Sequence, residues 1–205
     1  MMTDHMTTAS IGWALPRVKA SILRHAEELN ALDGTLGDGD LGVTLCRAAN
    51  RLESGPSADD IGVVFLHCAK AFSGVSGSTY GTLLATGLMA AAKQTKGRSE
   101  VPWSEITQLL GAAGVAMAAR GKSQLGDKTV LDVIEAARRS TANVDNSARL
   151  VQATLLAIEA TIAEFRGLPF KQGRARIFGE KGVGRDDPGM IAFKYIVESL
   201  LPTAQ

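Results

Sequence analysis

Apolar residues recur at three- and four-residue steps along most of the chain. Ile11, Ala14, Leu15, Val18, Ile22, Leu23, Ala26 and Leu29 form one stripe and predict a helix ending just before an aspartate-rich loop. Four further stripes follow: Ile61, Val64, Phe65, Cys68 and Phe72; Ile106, Leu109, Leu110, Ala113 and Met117; Leu155, Ile158, Ile162 and Phe165; Phe193, Ile196, Val197, Leu200 and Leu201. Shorter helical patterns fit residues 42–52, 79–94 and 129–139, which makes about eight helices. No run of β-branched or aromatic residues alternates over more than a few positions, so strands are nearly absent from the expectation.

The breaks between helices fall into two kinds. "ESGPSADD" and "TKGRSEVPWSE" read as plain connections with serine or aspartate available as caps, and Pro102 stands near a first turn. "LDGTLGDGDLG", "FSGVSGSTYGT", "RGKSQLGDKT" and "KQGRARIFGEKGVGRDDPG" instead mix glycine with charge or hydroxyl. Loops on a rigid helical scaffold are where binding groups collect.

Composition narrows the possible partners. The 205 residues are enough to bury an apolar core without staples, and they carry no repeat, low-complexity segment or long linker, so one domain spanning 1–205 is expected. A net charge of +1 offers no electrostatic reason to invoke nucleic acid or an anionic membrane. No stretch of 18 uncharged apolar residues occurs and the N-terminus lacks a signal-peptide pattern, which points to a cytoplasmic protein. Cys46 and Cys68 lie in apolar stretches without metal-ligand spacing and read as small core residues.

The candidate chemistry begins with Asp33, Asp38 and Asp40, set among glycines. Two ionised carboxylates 4 Å apart repel by about 4 kcal/mol at an effective dielectric of 20, so three together call for a cation. An all-oxygen set without His or Cys suits Mg²⁺; three solvated turn aspartates are the plainer alternative. An EF-hand is excluded, because Ala49 occupies the twelfth position counted from Asp38. "LDGTL" also fails as a haloacid-dehalogenase start, because Ala31 replaces the first aspartate and the preceding segment is helical.

In "SGVSGSTYGT", Gly74, Gly77 and Gly81 alternate with hydroxyl residues ahead of a helix, an arrangement suited to cradling phosphate and equally to a simple helix start. It is not a Walker A loop. The nearest candidate, "AMAARGKS", has Ala116 at the first glycine position and no strand before it.

Taken together, "LNALDGTLGDGDLG", "GVSGSTYGT", "RGKSQLGDKTVLDV" and "GRARIFGEKGVGRDDPG" resemble, in order and spacing, the motifs of the nucleotide-binding L subunit of dihydroxyacetone kinases. The resemblance spans nearly the whole chain. It implies an all-α fold, a closed barrel of eight antiparallel helices with the nucleotide–Mg²⁺ site at one end. It implies further that Asp33, Asp38 and Asp40 hold two Mg²⁺ ions bridging to ADP or ATP. Leu41, Gly42, Val43 and Thr44, with Val75 and Ser76, would wrap the phosphates. Gly121 and Val130 would line the adenine side, and Arg174 with Asp187, Pro188 and Gly189 would close over the nucleotide.

In this family the sugar is held on a separate K subunit, through a histidine, and the L part presents the phosphoryl group. The resemblance therefore implies half of an enzyme, active only with its K-type partner, and acceptor activation on that partner. It leaves a homodimer open. His5, His25 and His67 lie outside every motif. Where L subunits working with the phosphotransferase system commonly read "GDxDHG", this chain has Leu41 in place of the histidine; that departure points to exchangeable ATP, the alternative being a fixed ADP rephosphorylated by a phosphohistidine carrier protein. Arg185 and Asp186 before "DPG" are a second departure and alter the charge beside the site.

Two other classes stand beside the kinase subunit: a nucleotide-sensing module that binds a transcriptional regulator, and a structural or lipid-carrying helical barrel indifferent to Mg²⁺ and ADP. Phosphoryl transfer with a K subunit distinguishes the first from the second. Nucleotide titration distinguishes both from the third.

Overall fold

The computed structural model describes residues 5–52, 59–75 and 78–201. Eight α-helices run through them: α1 (Thr8–Gly34), α2 (Leu41–Ala49), α3 (Ile61–Ser73), α4 (Thr79–Thr95), α5 (Ile106–Gly121), α6 (Val130–Ser140), α7 (Ser147–Arg166) and α8 (Pro188–Glu198). Two 3₁₀ segments, Trp103–Glu105 and Arg174–Gly182, complete the helical content.

Side-chain caps explain where most of these helices begin. Thr7 and Ser10 form a reciprocal capping box at the start of α1, and Thr129 and Asp132 form another at α6. Asp60, Ser78, Asn146 and Asp187 cap α3, α4, α7 and α8. Pro188, at the first position of α8, gives up an amide that would have no helical partner.

Each helix packs against the next, and α8 returns to α1. The apolar stripes turn inward to form two main clusters. Ile22, Leu29, Leu41, Leu45 and Phe72 belong to the first; Met117, Val130, Ile134, Ile158 and Ile162 belong to the second, while Tyr80 and Ile191 pack against both. Cys68 is buried, Cys46 is half-buried, and both are free thiols; burial pushes Cys68 up to about 11.

The structure departs from the sequence pattern in three places. Helix α1 runs through Asp33 to Gly34 instead of stopping before the aspartate loop, so Asp33 stands on its last turn. The 95–105 connection contains a strand, β2 (Glu100–Pro102), which pairs antiparallel with β1 (His5–Thr7) over Met6, Ile61, Val101 and Leu109. Strands of three residues are too short to show alternation. Leu23, counted in the first stripe, is 46% exposed. Of the other connection, "ESGPSADD", residues 53–58 lie outside the described residues.

Candidate functional site

The loop from α1 to α2 turns back on itself at Gly39, whose φ of +75° lies in the left-handed region open to glycine. The reversal lets the Asp40 amide donate to Asp33 Oδ2 at 3.0 Å. As a result, one carboxylate oxygen each from Asp33, Asp38 and Asp40 lies within 4.8 Å of the others. Among the described residues this is the one such group of three or more acidic, His or Cys side chains.

The electrostatics of the cluster suit a cation. Burial, followed by the charges of Asp38 and Asp33, pushes the Asp40 carboxyl above its ordinary value. Asp38 moves the other way, because it accepts a hydrogen bond from the Arg174 guanidinium with which it forms an ion pair. Arg174 thus partly balances three clustered negative charges, and the donor set is oxygen alone. These residues fit a hard divalent ion such as Mg²⁺.

A cleft of about 250 Å³ opens beside the triad. Asp33, Asp40 and Leu41 form one lip, Arg174 and the Asp187–Pro188–Gly189 turn form another, and Gly121 and Val130 lie between them. Nine of the sequence-predicted residues therefore meet around one space. Burial pushes Asp187 up to about 7, and its Oδ1 accepts from the Met190 amide at 2.8 Å. Tyr80 lies beneath Gly189, where an added Cβ would come within 3.0 Å of the ring; the Tyr80 hydroxyl is buried without a partner.

Other predicted residues are placed differently. Gly42, Val43, Thr44 and Val75 do not line the cleft, and Ser76 lies outside the described residues. The amides of Gly42 and Val43 donate to Asn30 Oδ1, that of Thr44 to Asp40 O, and that of Val75 to Phe72 O. Asn30 replaces a cap that Asp40 does not provide, since the Asp40 side chain makes no bond to α2. Gly42 is required here because any Cβ would collide with the Ala26 carbonyl where α1 and α2 cross.

Several contributors escaped sequence reasoning. Leu36, Leu83, Ser123 and Gln172 line the cleft. Gln172 Nε2 donates to Gly121 O at 3.1 Å and Lys122 O at 2.9 Å, which ties the Arg174 segment to the end of α5. No spacing rule links these positions, some fifty residues apart. Tyr80 and Ser78 were at least visible inside a quoted glycine-rich motif.

A helical scaffold carrying an oxygen-only acidic cluster beside a cleft has the donor set to hold a divalent cation next to an anionic ligand. Residues 35–202 match the DAK2 domain, and the chain belongs to that family. It is 28% identical over 206 residues to the PEP-dependent dihydroxyacetone kinase, ADP-binding subunit DhaL, of Escherichia coli, covering 97% of both chains. The PTS-dependent ADP-binding subunit DhaL of Lactococcus lactis is also 28% identical, over 94% of this chain and 95% of that one. Identity to the Triokinase/FMN cyclase of Homo sapiens is 32%, across 93% of this chain and 34% of that protein.

The fold is similar to that of the dihydroxyacetone kinase of C. freundii, with a TM-score of 0.75 in its native form and 0.73 in its complex with AMP-PNP and Mg²⁺. Identity to that kinase is 23%, and this chain spans about a third of its length, 34% in each case.

Proposed function

We propose that this chain is the nucleotide-binding, phosphoryl-donating subunit of a kinase for a short ketose such as dihydroxyacetone. The observation that carries the reading is the acidic triad, two of whose members, Asp33 and Asp40, form one lip of a cleft whose other lip bears Arg174 and the Asp187–Gly189 turn. In this reading Asp33, Asp38 and Asp40 hold two Mg²⁺ ions, Gly121 and Val130 face the adenine, and Arg174 leaves Asp38 for a phosphate. The bound cations would neutralise phosphate oxygens and leave the terminal phosphorus open to an acceptor. The sequential packing of the helices, with α8 against α1, supports a closed barrel of eight antiparallel helices over a single domain.

With Gly42, Val43 and Thr44 amides already engaged, Leu41 is the residue at the α2 start that faces the cleft. The chain's own contribution is to bind, orient and neutralise the phosphates with backbone and charged donors. In this reading the sugar is held and activated on a separate K-type subunit; among the described residues no histidine lines the cleft. The nucleotide is ATP in free exchange, as Leu41 suggests. The names of the E. coli and L. lactis relatives favour a second reading, a resident ADP rephosphorylated by a phosphotransferase-system carrier.

Calorimetric titration of nucleotide-free protein with ADP and ATP, with and without Mg²⁺, tests both. Mg²⁺-dependent binding of the two nucleotides at similar affinity with ready exchange supports the ATP-dependent subunit. Tight ADP that does not exchange supports the second reading, and no binding in the presence of a K subunit overturns the proposal.

A further inference from the structure

Lys128 is 1% exposed, the largest fully buried side chain among the described residues. Its backbone has φ +62°, a left-handed conformation that costs a lysine energy. Among the described residues no carboxylate lies within ion-pair distance of its ammonium. Nζ donates instead to Leu168 O at 2.7 Å and Arg166 O at 3.3 Å, and it stands 4.1 Å from the centre of the Phe170 ring. Burying an ammonium without a counter-ion is expensive unless its donors are satisfied. Burial indeed lowers its pKa, while Asp186 and Asp187 pull it upward.

Both ends of the segment that carries Arg174 converge on this ammonium. On the outgoing side, the Lys171 amide donates to Asp127 O at 3.1 Å, and Gln172 reaches the end of α5. On the returning side, Gly182 packs on the Phe170 ring and the Gly184 amide donates to Arg166 O at 2.8 Å. Between these ends, residues 173–184 form a strap with left-handed glycines at Gly173, Gly179 and Gly184. Lys128 immediately precedes Thr129 and Val130 of the cleft wall. One buried cation therefore joins the far wall of the cleft to both roots of the strap.

We infer that Lys128 is a positioning residue for the nucleotide's phosphates, acting through the strap to set where Arg174 stands. The inference rests on the proposed nucleotide site. The ammonium supplies what a neutral side chain cannot: several N–H donors and a positive charge at the carbonyl end of α7 and over an aromatic face.

The test is a double-mutant cycle on the full chain, with Lys128→Met and Arg174→Ala, read by Mg²⁺–ADP affinity and by Mn²⁺ binding without nucleotide. Lys128→Met is expected to weaken ADP about tenfold in the wild-type background and less than about twofold in the Arg174→Ala background, and to tighten Mn²⁺ only where Arg174 is present. Additive losses, or no loss, overturn the inference, because a merely structural lysine would act irrespective of Arg174. Should Lys128→Met fail to fold, Phe170→Leu removes the ring and keeps the lysine; it should show the same dependence on Arg174. Should the wild type bind no nucleotide, the parent proposal fails. The strap is then read by the rate of tryptic cleavage at Arg174 and Arg176, which rises severalfold in Phe170→Leu if Lys128 and its ring anchor the strap and is unchanged if they do not.

Discussion

Asn30 Oδ1 accepts hydrogen bonds from the amides of Gly42 at 2.8 Å and Val43 at 3.2 Å, so a residue inside α1 caps the first turn of α2. A cap normally comes from the residue just before the helix. Here the intervening loop is occupied with gathering carboxylates, and the capping duty passes across the helix crossing. Asn30→Ala should cost about 1 kcal/mol of stability, read as a lower urea midpoint at unchanged slope. An unshifted midpoint would show that α2 needs no such cap.

Asp38→Asn removes one of three clustered charges from an exposed loop outside both apolar clusters. Mg²⁺-dependent nucleotide binding should be lost in calorimetry while the far-ultraviolet dichroism stays that of the wild type. Retained affinity would reduce the triad to a turn.

Arg174 bears on the same cluster from the opposite side, as the ion-pair partner of Asp38. In Arg174→Ala the triad loses its internal counter-charge, so Mn²⁺ in the absence of nucleotide should bind more tightly by paramagnetic resonance. Phosphate-bearing ligands should bind more weakly. Opposite signs for the two ligands distinguish a shared site from a general loosening of the loop.

Asp187 supplies a pH dependence. Burial raises its folded-state pKa to about 7, above the ordinary aspartate value, so between roughly pH 4 and 7 the native state holds a proton that the unfolded chain has released. Its contribution to stability therefore falls as pH rises through that window, by up to about 1.4 kcal/mol per unit. Asp187→Asn keeps an oxygen to cap α8 and cannot ionise. Its stability advantage over the wild type should widen from pH 4 to 7 and level off above, as followed by thermal melts. A constant difference across the range would contradict the shift.

What could be read from the chain itself follows from distance along it. The helices were legible because a 3.6-residue period repeats over ten or more positions, and the triad because Asp33, Asp38 and Asp40 are separated by few residues. The β1–β2 pair was invisible, since three residues cannot establish alternation. Asn30 and Lys128 stand inside the quoted motifs without a role of their own, because what each touches lies 12 to 40 residues away. The engaged amides of Gly42, Val43 and Val75 were equally hidden: composition shows that a backbone can turn toward a ligand, not whether another group has already claimed it.

Tyr80 and Ile191 are the places where the two apolar clusters touch, and the cleft lies over that seam, with Leu41 rooted in one cluster and Val130 in the other. A ligand seated there is a rivet through two plates. Its binding free energy opposes the separate opening of either half, so amide exchange should slow in α2 and α6 together when the cleft is filled.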